Sequence, residues 1–225
     1  MAFDPRQVLY EQYDLSDRVC DRLFSYVDAI ETAPLNLTAW STEDVWRRGV
    51  FDSLDIGQRM PTGRFRALDI GSGAGFPGMV LAIAKPDTDW VLLDSRHRRV
   101  DFLDNTVHRL GLANVQAVAA RAEEWIRQVP HERESYGVVT LRAVAPLGAS
   151  TELGLPYAAR GGEVFIAHGP GAESALELVQ PLMRKLGGAV LEVVQHADER
   201  CSVVIHKGSS TPTNYPRAAK SLGKP

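Results

Sequence analysis

Only two cysteines, Cys20 and Cys201, occur in the chain of 225 residues. They stand far apart and without metal-ligand spacing, which leaves no disulfide framework to expect and no cysteine-based metal site. Reduced, structural thiols in a cytoplasmic protein are the expectation. Long apolar runs are missing as well: none approaches the roughly 18 residues of a membrane span. The N-terminus carries Asp4 and Glu11 and no apolar signal core, which argues against export. Excess positive charge is also lacking, since a net charge of −3 does not mark a nucleic-acid binder. Internal repeats and low-complexity tracts are absent.

What remains is the composition of an ordinary globular protein, 44% hydrophobic and 24% charged. Its length allows one substantial core with a smaller flanking element. Charge is uneven. Lys207, Arg217, Lys220 and Lys224 form an end without acids, and Arg96-His97-Arg98-Arg99 is a second basic cluster. Each suits phosphate contacts or, equally, a plain solvated surface.

Residues 8–31 place Leu15, Val19, Leu23, Val27 and Ile30 at helical spacing, which predicts one or two amphipathic helices. Pro34 ends them, and a short helix from Ser41 through Trp46 follows, with Ser41 and Asp44 set as a capping pair. Strands are then expected near 65–70, 90–94, 115–118, 136–141, 163–167, 190–195 and 202–205. Helical patterns separate most of them, and Arg160-Gly161-Gly162 reads as the turn before the fifth strand. The fold class is therefore α/β: a doubly wound, Rossmann-like, mostly parallel sheet of seven strands that closes in an antiparallel hairpin. The expected organisation is a helical cap over 1–60, a core over 61–207 and a basic tail over 208–225.

The chain turns on Ala67-Leu68-Asp69-Ile70-Gly71-Ser72-Gly73-Ala74-Gly75-Phe76-Pro77-Gly78. An apolar strand ends in a carboxylate and feeds a helix through a turn that excludes side chains, so a ligand can lie on bare backbone. Gly73, Gly75 and Gly78 also fit the dinucleotide fingerprint. Asp69 argues against that use, because a carboxylate beside the helix start repels a pyrophosphate. It attracts the ammonium and sulfonium of S-adenosylmethionine. Asp94 closes the second strand, where an acid accepts ribose hydroxyls or caps the next helix. Ala122 and Glu123 follow the third strand, where adenine would rest against their backbone. Arg142 ends the fourth strand in Thr140-Leu141-Arg142-Ala143-Val144-Ala145-Pro146, at the rim where a phosphate or a base edge would be held. No Asn/Asp-Pro-Pro-Tyr follows that strand, which disfavours methylation of an exocyclic amine. A thiolate attack is unsupported by either cysteine. Guanine N7, with its own free lone pair, needs neither device.

At these residues the chain resembles the bacterial guanine-N7 methyltransferases of small-subunit ribosomal RNA, the RsmG or GidB type. The resemblance is carried by Asn36-Leu37-Thr38, Asp52-Ser53-Leu54, the run from Leu68 to Gly78, Arg99-Val100-x-Phe102-Leu103, Arg142-Ala143-Val144-Ala145-Pro146-Leu147 and Tyr215-Pro216-Arg217. It implies a class I methyltransferase fold, S-adenosylmethionine as cofactor, and 7-methylguanosine formation in 16S ribosomal RNA; a monomer without a metal is expected. Asp69, Gly71, Ser72, Gly73, Gly75 and Phe76 would then hold the methionine end. Asp94 would hold the ribose, and Ala122 and Glu123 the adenine. Arg142, with Asn36 and His168, would place guanine or its phosphate. Four positions depart from the family's habit: Gly49 stands for a histidine, His168 for a lysine, Asp94 for a glutamate and Leu141 for a small residue. Rival readings are a family member methylating a small molecule or no longer catalytic, a nicotinamide-dependent oxidoreductase, and a non-catalytic RNA-binding module.

Overall fold

Apolar runs that end in a polar residue build the sheet. Its strands are β1 (Arg66–Ile70), β2 (Asp89–Asp94), β3 (Val115–Ala119), β4 (Tyr136–Arg142), β5 (Ala158–His168), β6 (Gly188–Gln195) and β7 (Cys201–Lys207). Their spatial order is β3-β2-β1-β4-β5-β7-β6. The first five run parallel, and β7 is antiparallel to β5 and β6. The seven-stranded α/β sheet with its closing hairpin is thus the one the alternation predicts. Strand order reverses between β1 and β4, and ligands of such sheets bind beyond the carboxyl ends at that switch. The computed structural model describes residues 3–169, 171–195 and 200–223, so the tail base Lys224 lies outside the described residues.

Helices cover both faces. One layer contains α1 (Pro5–Tyr13), α2 (Asp17–Glu31), α3 (Thr42–Asp44), α4 (Asp52–Arg59), α5 (Gly78–Ala84) and α6 (His97–Leu110). The other contains α7 (Ala122–Gln128), α8 (Leu147–Gly154) and α9 (Ala172–Lys185). Two apolar clusters, one under each layer, form the core. Along α2 the buried positions Cys20, Leu23, Val27 and Ile30 recur at helical spacing, as the sequence predicts. From this face Tyr26 donates its hydroxyl to the Ala74 carbonyl at 2.8 Å, so the N-terminal helices brace the glycine turn from behind.

Three local expectations need correction, and one helix, α8, is unexpected. The helix begun at Ser41 does not stop at Trp46 but continues through a π-helical stretch, Val45–Phe51, into α4. Gly49 lets this stretch pack closely on Phe76, since a Cβ there would stand 2.6 Å from the ring. Arg160-Gly161-Gly162 is a bulge inside β5, with Tyr136 paired to Ala158 and Val138 to Glu163. All eight residues of α8 are buried, so it offers no amphipathic period to read. The C-terminal end does not project as a basic arm. Lys207 is fully buried and donates to the Leu155 and Leu186 carbonyls at 2.9 and 3.0 Å, while Arg217 is paired with the buried Glu152 at 2.8 Å.

Candidate functional site

The carboxyl ends of the parallel strands collect the chemistry-bearing residues: Asp69 on β1, Asp94 on β2, Arg142 on β4 and His168 on β5. Register sets Asp69 beside Thr140, whose hydroxyl donates to Asp69 Oδ1 at 2.7 Å. The Gly78 N–H donates to Oδ2 at 3.3 Å. Asp69 is fully buried, and burial pushes its carboxyl up to about 6 against the opposing bonds from Thr140, Ser72 and Gly78. Its oxygens are thus turned to the protein, where they fasten the two ends of the glycine turn together. A side chain at Gly78 would put its Cβ 2.4 Å from Leu92 Cδ2 and 2.7 Å from Asp69 Cβ, so only glycine lets the helix start this close to β1. Ser72 reinforces the turn by donating to the Asp69 carbonyl at 2.9 Å. Gly75 sits against the Tyr26 hydroxyl. Phe76 is buried against Tyr26 and Trp40.

Above the turn lies a cavity of about 330 Å³ lined by Gly71, Asp94, Ala122 and Glu123 among others. The structure therefore brings together four of the residues the sequence assigned to a cofactor. Gly71 has φ of +72°, and a Cβ on it would meet Val144 at 2.7 Å, so at this position the lining is bare backbone. Asp94 accepts from Gly73 N–H at 2.8 Å, Arg96 N–H at 2.9 Å and Arg99 at 3.4 Å. Three donors leave a carboxylate with about one acceptor position of its four. The first-turn N–H groups at Ala122 and Glu123 have no acceptor within their own helix. Bare backbone, one carboxylate with capacity for a hydroxyl, and unpaired amides at the far wall fit an adenosyl group. Asp94 in the same lining disfavours a pyrophosphate there.

A second cavity, of about 230 Å³, opens on the β4–β5 side and is lined by Trp40, Arg48, Asp52, Arg142, His168 and Arg200 among others. Arg48, Asp52 and Ile56 recur every fourth residue on the helix and so share the face that lines it. Arg142 Nη2 stands 3.5 Å from Asp52, and the guanidinium lies 5.2 Å from the centre of the Trp40 ring. Burial pulls the Arg142 guanidinium below its usual value, opposed by Asp52. Its Nη1 is buried without a hydrogen-bond partner among the described residues. Arg200 also pairs with Asp52. His168 Nδ1 is 2.8 Å from the Gly169 carbonyl oxygen.

The two cavities share the loop that leaves β4. Ala143, held at φ of +52°, lines the second, and Val144 and Ala145 line the first. Asn36 is not gathered here. It is exposed on a neighbouring groove, and Trp40, four residues on, is what reaches Arg142. Sequence reasoning missed Trp40, Thr140 and Arg200, and saw Asp52 and Arg99 only as parts of a pattern. For Thr140 the signal was available, since it is two residues before Arg142 on the strand that neighbours β1. For Arg200, which meets Asp52 across 148 positions of chain, there was none. Among the described residues no group of His, Cys, Asp or Glu side chains is arranged to hold a metal ion, and no helix is long and apolar enough to cross a membrane.

Comparison with known proteins agrees with this geometry. A family model described as GidB, rRNA small subunit methyltransferase G, matches residues 20–204. The chain is 32% identical over 213 residues to ribosomal RNA small subunit methyltransferase G of Clostridium botulinum, covering 91% of this chain and 89% of that protein. It is 39% identical over 200 residues to the protein of the same name from Lachnoclostridium phytofermentans, covering 85% and 80%. The crystal structure of a SAM-dependent methyltransferase from Aquifex aeolicus superposes with a TM-score of 0.53 at 19% identity, over 69% of this chain and 89% of that one. That likeness shows a shared fold.

Proposed function

The chain belongs to the rRNA small subunit methyltransferase G (GidB) family, and from that premise we propose that it methylates N7 of a guanine in 16S ribosomal RNA. The cofactor of this family is S-adenosylmethionine, which supplies a methyl group already activated on a sulfonium. Guanine N7 supplies a lone pair that carries no proton, so no residue of the chain has to act as a general base. Positioning is then the main contribution of the protein.

The single observation that carries the reading is the loop from Arg142 to Pro146, which lines both cavities and so sets their separation. On one side Gly71, Asp94 and the amides of Ala122 and Glu123 would hold the adenosyl group. Asp69 acts through the turn it fastens. On the other side the free Nη1 of Arg142 would hold guanine O6 or the adjoining phosphate, with His168 at the rim and Trp40 offering a face for stacking. Exposed Arg121 lines the cofactor cavity, exposed Arg96 follows its lining residue Ser95, and both would meet the RNA backbone. The protein would act on ribosomal RNA as a monomer in the cytoplasm. Mapping 7-methylguanosine in 16S ribosomal RNA from cells with and without this protein tests the reading. Loss of one modified guanine, restored by the wild-type chain, is expected. An unchanged pattern overturns it.

A further inference from the structure

From β7 the chain does not leave the fold but crosses the α7–α8 side, and residues 219–223 reach the cofactor cavity. The route is fixed by charged groups at unusual expense. Lys207 is fully buried, and burial pulls its ammonium down to about 8 despite the nearby Glu134. Arg133 donates to the carbonyls of Thr211, Pro212 and Tyr215 at 3.2, 2.9 and 2.8 Å. Arg127 donates to the Pro216 carbonyl at 2.7 Å. Glu152, fully buried on α8, takes Arg217 N–H, Nε and Nη2 and finally the Gly223 N–H, all between 2.8 and 3.0 Å.

Each carbonyl held in this way is one that a loose tail would leave to water. The segment so fastened buries Thr211, Tyr215 and Pro216, and beyond them the half-buried Leu222 and the more exposed Ala219 line the cavity that contains Asp94 and Ala122. Gly223 then wedges onto the first turn of α8. Its φ is +67°, and a Cβ on it would stand 2.5 Å from Ala149 N, so the contact requires glycine.

We propose that the C-terminal segment is a wall of the cofactor site, with Leu222 and Ala219 packing on the adenine ring and the Glu152 anchor holding them there. The inference rests on the reading that the adenosyl group occupies this cavity. It makes the last residues a determinant of cofactor affinity rather than an RNA-binding arm. Adenine offers two apolar faces, and Leu222 adds to the apolar lining that Ile70, Leu93, Val144 and Leu153 already give the cavity, from the side where the C-terminal segment closes it. Because α8 follows directly on the Arg142–Pro146 loop, the wall also bears on the element that separates the two cavities.

Calorimetric titration of S-adenosylhomocysteine and of 5′-methylthioadenosine into the full-length protein tests this, with Leu222→Ala, Gly223→Ala and Asp94→Asn beside the wild type. Leu222→Ala should weaken both ligands by about tenfold, as removing an apolar contact of that size does. The factor should be the same for both, since both carry the adenosyl half. Gly223→Ala leaves every lining side chain in place but lifts the segment from α8, and it should weaken both ligands in the same proportion to each other. Unchanged affinities in both C-terminal variants, with Asp94→Asn weakened, would overturn the wall and leave the cofactor site standing. A wild-type protein that binds neither ligand would overturn the site and the wall with it.

Discussion

Two arginine–carboxylate pairs, their carboxylates on helices that cover opposite faces of the sheet, carry the same charges in different surroundings. Arg217 meets Glu152, whose two oxygens take four N–H donors, one of them from Gly223. Burial alone would push that carboxyl up, yet these bonds hold it below the usual range. Arg142 meets Asp52 at 3.5 Å, shares it with Arg200, and keeps one buried nitrogen without a partner among the described residues. A pair whose hydrogen bonds are all made is a fastening. One buried donor left unmade costs about 1–3 kcal/mol, and a fold retains that cost where a ligand relieves it. Completeness of hydrogen bonding, not charge, therefore separates Arg217, a fastening, from Arg142, which on the proposed reading would hold the base.

The largest effect should come from breaking the complete pair. Arg217→Ala leaves Glu152 buried and ionised with only backbone donors, and should lower unfolding free energy by about 3–5 kcal/mol. Urea denaturation at pH 7 measures it, and a decrease under about 1 kcal/mol would mean that the carboxylate finds water. Arg142→Ala should behave in the opposite way. Asp52 keeps Arg200, so the same denaturation curve should move by less than about 1 kcal/mol. Methyl transfer to 16S ribosomal RNA should fall about 10²- to 10³-fold, the usual cost of removing an aimed donor. Equal destabilisation in the two variants would erase the comparison.

Asp69 supplies the third case, a buried carboxylate with no cation paired to it among the described residues. Its carboxyl stands at about 6 in the folded chain, against roughly 3.9 when unfolded. The folded state therefore holds the proton more tightly, and relative stability is greatest below pH 4 and declines as pH rises through 6. Asp69→Asn removes this dependence. The difference in unfolding free energy between wild type and variant should shift against the wild type by up to about 3 kcal/mol between pH 4 and 7. A difference that stays flat with pH would mean that Asp69 is ionised throughout, as Glu152 is held to be.

Much of this was legible in the chain. Leu68-Asp69-Ile70 and Leu92-Leu93-Asp94 are short apolar runs with an acid at or near the close, and both became strands with the acid toward the carboxyl end. The helix stop at Gly111 was likewise a local signal, and its φ is +59°. What escaped was non-local or aperiodic. The π-helical turn at Val45–Phe51 breaks the 3.6-residue repeat, and α8 is buried on every side. Arg200 reaches Asp52, and Arg217 reaches Glu152, only after the sheet is folded. That is why four bases at the end of the chain read as one class when they are not.

The smallest effect concerns that end. If basic charge in the tail served the RNA, each phosphate it neutralised would add about 0.7–0.9 to the salt slope of binding. Lys207 is fully buried and hydrogen-bonded to two carbonyls, and Arg217 is committed to Glu152, so neither is available to a phosphate. Lys220 is exposed, on the segment whose neighbours Ala219 and Leu222 line the cofactor cavity. Lys220→Ala should therefore lower the slope of log affinity against log salt by no more than the worth of about one phosphate, and should leave S-adenosylhomocysteine affinity unchanged. Filter binding of a 16S ribosomal RNA fragment between 50 and 200 mM salt is sensitive enough, because one phosphate over that range is worth about 2.5- to 3.5-fold. A slope reduced by the worth of about two phosphates or more would mean that the segment leaves its dock on RNA binding. In that event Glu152 and Arg217 must part in the complex, and the complete pair would be a switch rather than a fastening.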